Sequence, residues 1–162
     1  MPDFRCLPIA AAVAERFRAT DRDDRGNPFL RRQPGPDSRC PCRACLRYAQ
    51  QGETVLLGSY DLPRPQGVYW TPSPIFLHEA QCAPFAAANA IPEIVRGALV
   101  SVRAYDPDDL CLYELGHVGE GTEIDEALNR ALGDRRTAFV NIHTAKPGCL
   151  LCRVERAGAF TF

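Results

Sequence analysis

Ile9, Val13 and Phe17 recur every four residues, with Pro8 at a favourable first-turn position, and predict an amphipathic helix near the N-terminus. The same rhythm returns at Ile124, Ala127, Leu128 and Ala131, which share one face of a helix over Thr122 to Leu132. Thr122 is placed to cap it, Asp125 stands in for the usual third-residue Glu, and Gly133 ends it. Elsewhere the pattern shortens to that of strands. Glu53 to Tyr60 (ETVLLGSY) has apolar residues on both alternating faces and reads as a central strand, and Ile75 to His78 (IFLH) reads as a short one. Ala98 to Tyr105 and Leu110 to Leu115 flank Asp-Pro-Asp-Asp, whose turn chemistry predicts a hairpin. Arg136 to Thr144 and Leu150 to Glu155 are the last two strands, joined by Lys-Pro-Gly.

Between these elements lie two long stretches without periodicity. Thr20 to Pro41 is a polar, Pro/Gly-punctuated arm or loop, and Asp61 to Pro74 is a loop rich in proline and aromatics. Sequential hairpins with few helices predict an α+β fold, a mainly antiparallel sheet with two or three helices packed on it. A chain of 162 residues fits one core and hence a single domain over 1–162.

Charge removes several function classes. The formal net charge is −1, so no long-range field draws in nucleic acid or an anionic membrane, and neither is expected as a partner. The cations are arginines except for Lys146, a bias that fits a GC-rich bacterial genome. No apolar run approaches the roughly 18 residues that span a bilayer. The stretch Leu7 to Ala14 makes a poor export signal, because Asp3 precedes it and Glu15, Arg16 and Arg18 fill the cleavage region. A cytoplasmic location is therefore expected. In that reducing compartment the eight cysteines are core fillers, metal ligands or reactive thiols rather than a disulfide framework.

Two cysteine pairs have the Cys-x-x-Cys spacing, Cys42/Cys45 and Cys149/Cys152, where random placement gives about a third of one such pair. Cys149 and Cys152 open a strand, in which residues three apart leave opposite faces, so they cannot share a metal. Cys152 is expected in the core beside Leu150 and Val154. Cys42 and Cys45 instead follow Pro-Gly-Pro and Asp-Ser, in a turn or at a helix start, where residues three apart do face one way. Downstream, His78 and Cys82 sit four apart where a strand ends. The assembled pattern, C-x2-C, 32 residues, H-x3-C, supplies the four soft or borderline ligands of a tetrahedral zinc ion. Arg39, Arg43 and Arg47 stand close by to offset the net negative charge of a zinc–three-thiolate centre. Two other readings remain open from the residues: small hydrophobic packing of the same cysteines, and thiol chemistry at Cys42 favoured by Arg43.

A second polar group emerges from strand alternation. Arg103 and Tyr105 on one strand, and Asn141 and His143 on another, line single faces. As neighbours they form either the solvated side of an antiparallel sheet or a patch for an anionic ligand. His117, in G-H-V-G-E-G, reads as a hairpin end and not as a phosphate loop.

The runs PCRACL, GETVLLGSY, SPIFLHEAQC, RAYD and AFVNIHTAKPGC, then CRVERA, with FRCLPI near the start, resemble a bacterial family known as domain of unknown function 1203. The resemblance implies one compact bacterial domain and carries no activity, substrate or catalytic residues. Two functions are therefore expected as alternatives. One is a non-catalytic or accessory domain with a structural zinc on Cys42, Cys45, His78 and Cys82. The other is a small enzyme or ligand-binding protein, its site between the Pro-Cys-Arg turn and the Tyr69–Pro74 loop. Cys42 and Arg43 would be central to that site, with Tyr69, Arg103 and His143 as further candidate contacts.

Overall fold

The strands assemble into two antiparallel sheets, described over residues 1–158 in a computed structural model. In chain order the elements are β1 (Phe4–Leu7), α1 (Ala11–Thr20), β2 (Leu30–Arg32), β3 (Val55–Asp61), β4 (Pro72–His78), α2 (Glu93–Arg96), β5 (Leu99–Tyr105), β6 (His117–Glu120), α3 (Ile124–Gly133), β7 (Phe139–Thr144) and β8 (Leu150–Arg156). The larger sheet has the order β1-β8-β7-β5-β6 and the smaller β2-β3-β4. This is the α+β domain expected from the patterning.

Alternation along β5, β7 and β8 sets the main core. Val100, Val102 and Ala104 share it with Val140, Ile142, Cys152 and Val154, and α3 covers them with Ile124, Ala127, Leu128, Ala131 and Leu132. A bulge interrupts the β7–β8 register, pairing Ile142 with Cys152 and His143 with Leu150. It reverses one expected orientation. Leu151 joins Cys152 in the main core, while Leu150 goes to the second core between the two sheets.

That second core explains the largest departure from sequence expectation. Asn141 and His143 were candidates for a solvated face, yet both are buried. The smaller sheet and its flanking loops cover them: Asn141 donates to the Arg64 carbonyl, and the Leu150 amide donates to Ser73 Oγ on β4. Phe17 of α1, Phe29, Leu56, Ile75, Leu77 and Leu150 fill the space between the layers.

Other differences are local. The N-terminal helix starts at Ala11, later than expected, because Phe4–Leu7 pairs with β8 as an edge strand. Segment 20–41 contains β2, which pairs with β3 and is anchored by buried Phe29. The Asp106 turn forms, its carboxylate accepting from the amides of Asp108 and Leu110. Leu110–Leu115, however, makes one bridge and a short 3-10 helix. The strand beside β5 is β6, which holds His117. Helix α3 has no side-chain cap, and Thr122 lies in a 3-10 turn ahead of it. Asp125 pairs with Arg96 of α2 instead.

Candidate metal centre

Residues 40–49 form a tight hairpin. Pro41 bridges Tyr48, the Ala49 amide donates to the Cys40 carbonyl, and the Cys42 amide donates to the Arg47 carbonyl. At its tip the Leu46 amide closes on the Cys42 carbonyl, with Leu46 at a left-handed φ of 54°. This turn brings the Cys42 and Cys45 thiols to one side. Cys42 also bridges Phe76 in parallel, and the Arg43 amide donates to the Phe76 carbonyl, which docks the turn on the last part of β4. His78 closes β4, and Cys82 returns from the loop that follows.

The ligand atoms of Cys42, Cys45, His78 and Cys82 all lie within 4.8 Å of one another. Cys42 Sγ and Cys82 Sγ are 3.9 Å apart, and Cys45 Sγ is 3.5 Å from His78 Nδ1. A tetrahedral ion with bonds of about 2.3 Å to sulfur and about 2.0 Å to nitrogen requires edges of about 3.8 Å and about 3.5 Å. These two edges match that geometry, and the remaining ones stay within 4.8 Å. They are also far beyond a disulfide bond, and all eight cysteines are free thiols.

The surroundings favour a thiolate at Cys42. Hydrogen-bond donation from the Cys45 thiol, aided by backbone N–H groups of Cys45, His78 and Ala44, outweighs burial and holds the Cys42 thiol well below its ordinary value. The same contact pushes the Cys45 thiol up, and burial pushes Cys82 up. Three crowded sulfurs cannot all ionise without a cation among them.

A shell of charge surrounds the four residues. His78 Nε2 lies 3.0 Å from Glu53 Oε2, so a proton on Nε2 leaves Nδ1 with its lone pair toward the cluster. Arg47 grips Glu53 with two bonds of 3.0 and 2.9 Å, and the Gln50 amide adds a third at 2.7 Å. These contacts, Arg47 foremost, hold the Glu53 carboxyl well below the usual range. Arg18 of α1 donates to the His78 carbonyl and to Cys82 Sγ at 3.4 Å. Its charge would offset the net −1 of a dication held by three thiolates.

Arg18 and Glu53 were absent from the sequence expectation, and two expected arginines lie elsewhere. Arg39 stacks on Tyr48 and donates to the Gly97 carbonyl. Arg43 turns inward, away from the cluster, and is 2% exposed. Its Nε and Nη1 donate to the carbonyls of Leu150 and Pro41. Burial lowers its pKa to about 10, so it remains charged at neutral pH. An arginine so enclosed cannot reach a ligand from solvent.

The other candidate contacts separate into two places. His143 lies opposite Ser101, with Arg103 opposite Asn141. Its Nδ1 sits 2.9 Å from the Gly148 carbonyl, and its Nε2 is enclosed without a partner. Burial, with the Arg103 charge, lowers the His143 pKa to about 4, so the ring is neutral near pH 7. Tyr69 is at the surface, its hydroxyl 2.6 Å from that of Tyr113. Among the described residues the structure thus assembles one cluster that could hold a metal ion and does not gather Cys42, Arg43 and Tyr69 into an open pocket.

Cys152 lies in the main core at 2% exposure, and a neighbouring Cys6 thiol together with burial pushes its pKa well up. Cys152→Val is a near-isosteric core swap. It should leave metal content unchanged and stability within about 1.5 kcal/mol, as read by elemental analysis and urea unfolding. Loss of a metal equivalent would relocate the centre to the β7–β8 hairpin.

The model of a protein family of unknown function, DUF1203, matches residues 39–156, a span that contains the whole cysteine and histidine cluster. No curated protein and no solved structure matches the chain. No helix among the described residues is long and apolar enough to cross a membrane. With 118 of 162 residues (39 through 156) covered by that match, the chain belongs to the domain of unknown function 1203 family.

Proposed function

We propose that the protein is a non-catalytic or accessory cytoplasmic domain whose Cys42, Cys45, His78 and Cys82 hold a structural zinc ion. The observation that carries this reading is the closed donor set. Four protein donor atoms lie within 4.8 Å of one another, two of their edges at tetrahedral spacing, and a zinc ion bound by all four would have no position left for water or substrate. Zinc is favoured over iron and copper by the mixture of three thiolates with one imidazole and by the lack of any geometric demand from its filled d shell.

The ion would tie three parts of the chain that are distant in sequence. The hairpin at 40–49 would be joined to the end of β4 and to the loop at Cys82, with α1 held alongside through Arg18. Glu53 would fix the imidazole tautomer and Arg47 would fix Glu53.

X-ray absorption at the zinc edge tests this directly. The expected first shell is three sulfurs near 2.3 Å and one nitrogen near 2.0–2.1 Å, unchanged by added cyanide or azide. An oxygen in the first shell, displaced by either anion, would indicate an open catalytic centre. A cleft of about 350 Å³ beside Glu53, His78 and Cys82 would then be the place for substrate.

A further inference from the structure

We infer, on the footing of the zinc reading above, that Cys82 is an oxidation site. A peroxide oxidises Cys82, Cys42 captures it as a disulfide, and the zinc ion is released.

The backbone divides the three cysteines of the cluster into two that are fixed and one that can move. The Cys42 amide donates to the Arg47 carbonyl and its carbonyl accepts from the Leu46 amide, with Cys45 held between them at the hairpin tip. Cys82 instead belongs to residues 80–84, which form neither helix nor strand. That stretch is anchored at its two ends, by the Glu79 amide on the Thr54 carbonyl and the Phe85 amide on the Ala44 carbonyl. Glu79, Ala80, Gln81, Ala83 and Pro84 are exposed, and Cys82 among them is half-buried. A segment with so few backbone bonds shifts at little cost.

Access separates the sulfurs in the same way. Cys82 lines the cleft of about 350 Å³ beside Glu53 and Thr54, whereas Cys42 is buried. A peroxide entering from solvent therefore meets Cys82 first. Oxidation of a cysteine follows its thiolate character and its exposure, and a thiol bound to a metal ion is deprotonated. Arg18 Nη2 stands 3.4 Å from Cys82 Sγ, and a cation that close favours departure of hydroxide.

The second thiol is already in place. Cys42 Sγ is 3.9 Å from Cys82 Sγ, so a movement of about 2 Å, within reach of the 80–84 loop, closes a disulfide. Cys6 and Cys152 also adjoin, but both are 2% exposed in the main core, so an oxidant reaches neither.

The steps balance with hydrogen peroxide as the oxidant. The Cys82 thiolate attacks one peroxide oxygen, the O–O bond breaks, and hydroxide leaves, which gives the sulfenic acid. The Cys42 thiolate then attacks that sulfur, the S–O bond breaks, and a second hydroxide leaves. Two thiolates have passed two electrons to one peroxide, and two protons from solvent turn both hydroxides into water. Cys45 and His78 then remain as ligands, half of the set a closed zinc site needs, and the ion is lost.

The test uses the full chain, reduced and loaded with zinc, whose content is measured before hydrogen peroxide is added. A chromogenic chelator should then register one zinc for each peroxide consumed, and dithiothreitol with fresh zinc should restore the metal. Trypsin cuts after Arg39, Arg43 and Arg47, which places Cys42 in 40–43, Cys45 in 44–47 and Cys82 in 48–96. Non-reducing mass mapping should find 40–43 joined to 48–96, with fragmentation assigning the bond to Cys42 rather than Cys40. Cys82→His keeps four zinc ligands and should release zinc at least about tenfold more slowly, while Cys45→His should still release it and form the same disulfide. Should Cys82→His fail to hold zinc, the disulfide map of the native chain decides alone. The inference is overturned by a Cys42–Cys45 disulfide, by Cys82 halting as a sulfinic acid, or by release from Cys82→His at the native rate. A native chain without zinc before peroxide is added overturns the zinc reading and this inference with it. A zinc-loaded chain that peroxide leaves intact overturns this inference alone.

Discussion

Removing the metal should loosen the smaller sheet while the larger one persists. In Cys45→Ala, or after prolonged exposure to a zinc chelator, stability should fall by about 3–5 kcal/mol, a drop in Tm on the order of 10 °C. The reason is that one ion would join the 40–49 hairpin to the end of β4 and to the Cys82 loop through four bonds at once. Cys45 and Cys82 pack only at the margin of the second core. Without a cation, the sulfurs of Cys42 and Cys82 at 3.9 Å share no more than a weak S–H···S contact. The main core, built from β5, β7, β8 and α3, contains none of the four ligands. Hydrogen exchange should therefore accelerate first at residues 40–49 and 76–82, and last at Val100, Val102, Val140 and Ile142. If the four residues were merely packed thiols, removing the half-buried Cys45 would cost about 1 kcal/mol, and exchange would change little.

Arg43→Met should be nearly as damaging, although Arg43 makes no bond to the cluster. Its guanidinium fills the join between the two sheets and donates to the carbonyls of Pro41 and Leu150. Methionine restores most of the volume and none of the donors. Two buried carbonyls then lose charge-assisted bonds worth about 1.5–3 kcal/mol each, partly compensated because a costly buried charge is also removed. The expected net loss is about 3 kcal/mol, measured by urea unfolding with metal content unchanged. Arg43→Lys should rescue little, because a single ammonium cannot span both carbonyls as the planar fork does. A variant that unfolds normally but binds less metal would mean that Arg43 acts on the cluster through charge.

Those two predictions show where the sequence was informative. The cluster was legible because both halves of it are local: a turn that aligns Cys42 with Cys45, and a strand end that places His78 near Cys82. The supporting residues were not. Arg18 reaches the cluster across 60 positions to His78 and 64 to Cys82, and Glu53 reaches His78 across 25, so neither contact leaves a periodic trace. Arg43 was misread for a related reason. Its neighbours in sequence suggested a role beside the thiols, whereas its side chain is fixed by Leu150, 107 residues away.

The same division runs through the fold. Helix α3 and strands β3, β7 and β8 carry clean periodicity and sit close to their expected places. Strand β1 has four residues and pairs with the far end of the chain, and β2 has three. Segments so short hold too few alternations to signal a strand. Strand β6 contains glycine and is exposed at alternate positions, so low β-propensity hid it. Asn141 and His143 look like solvent-facing residues in an isolated strand. Only the second sheet, packed on that side, makes them buried.

The measurement that bears most directly on the metal centre is native mass spectrometry on protein purified without metal-affinity resin, compared with its mass after denaturation in acid. One zinc per chain, lost in Cys45→Ala and retained in Cys152→Val, is the predicted result. A native mass equal to that of the bare chain, with zinc failing to bind when added back under reducing conditions, would contradict it.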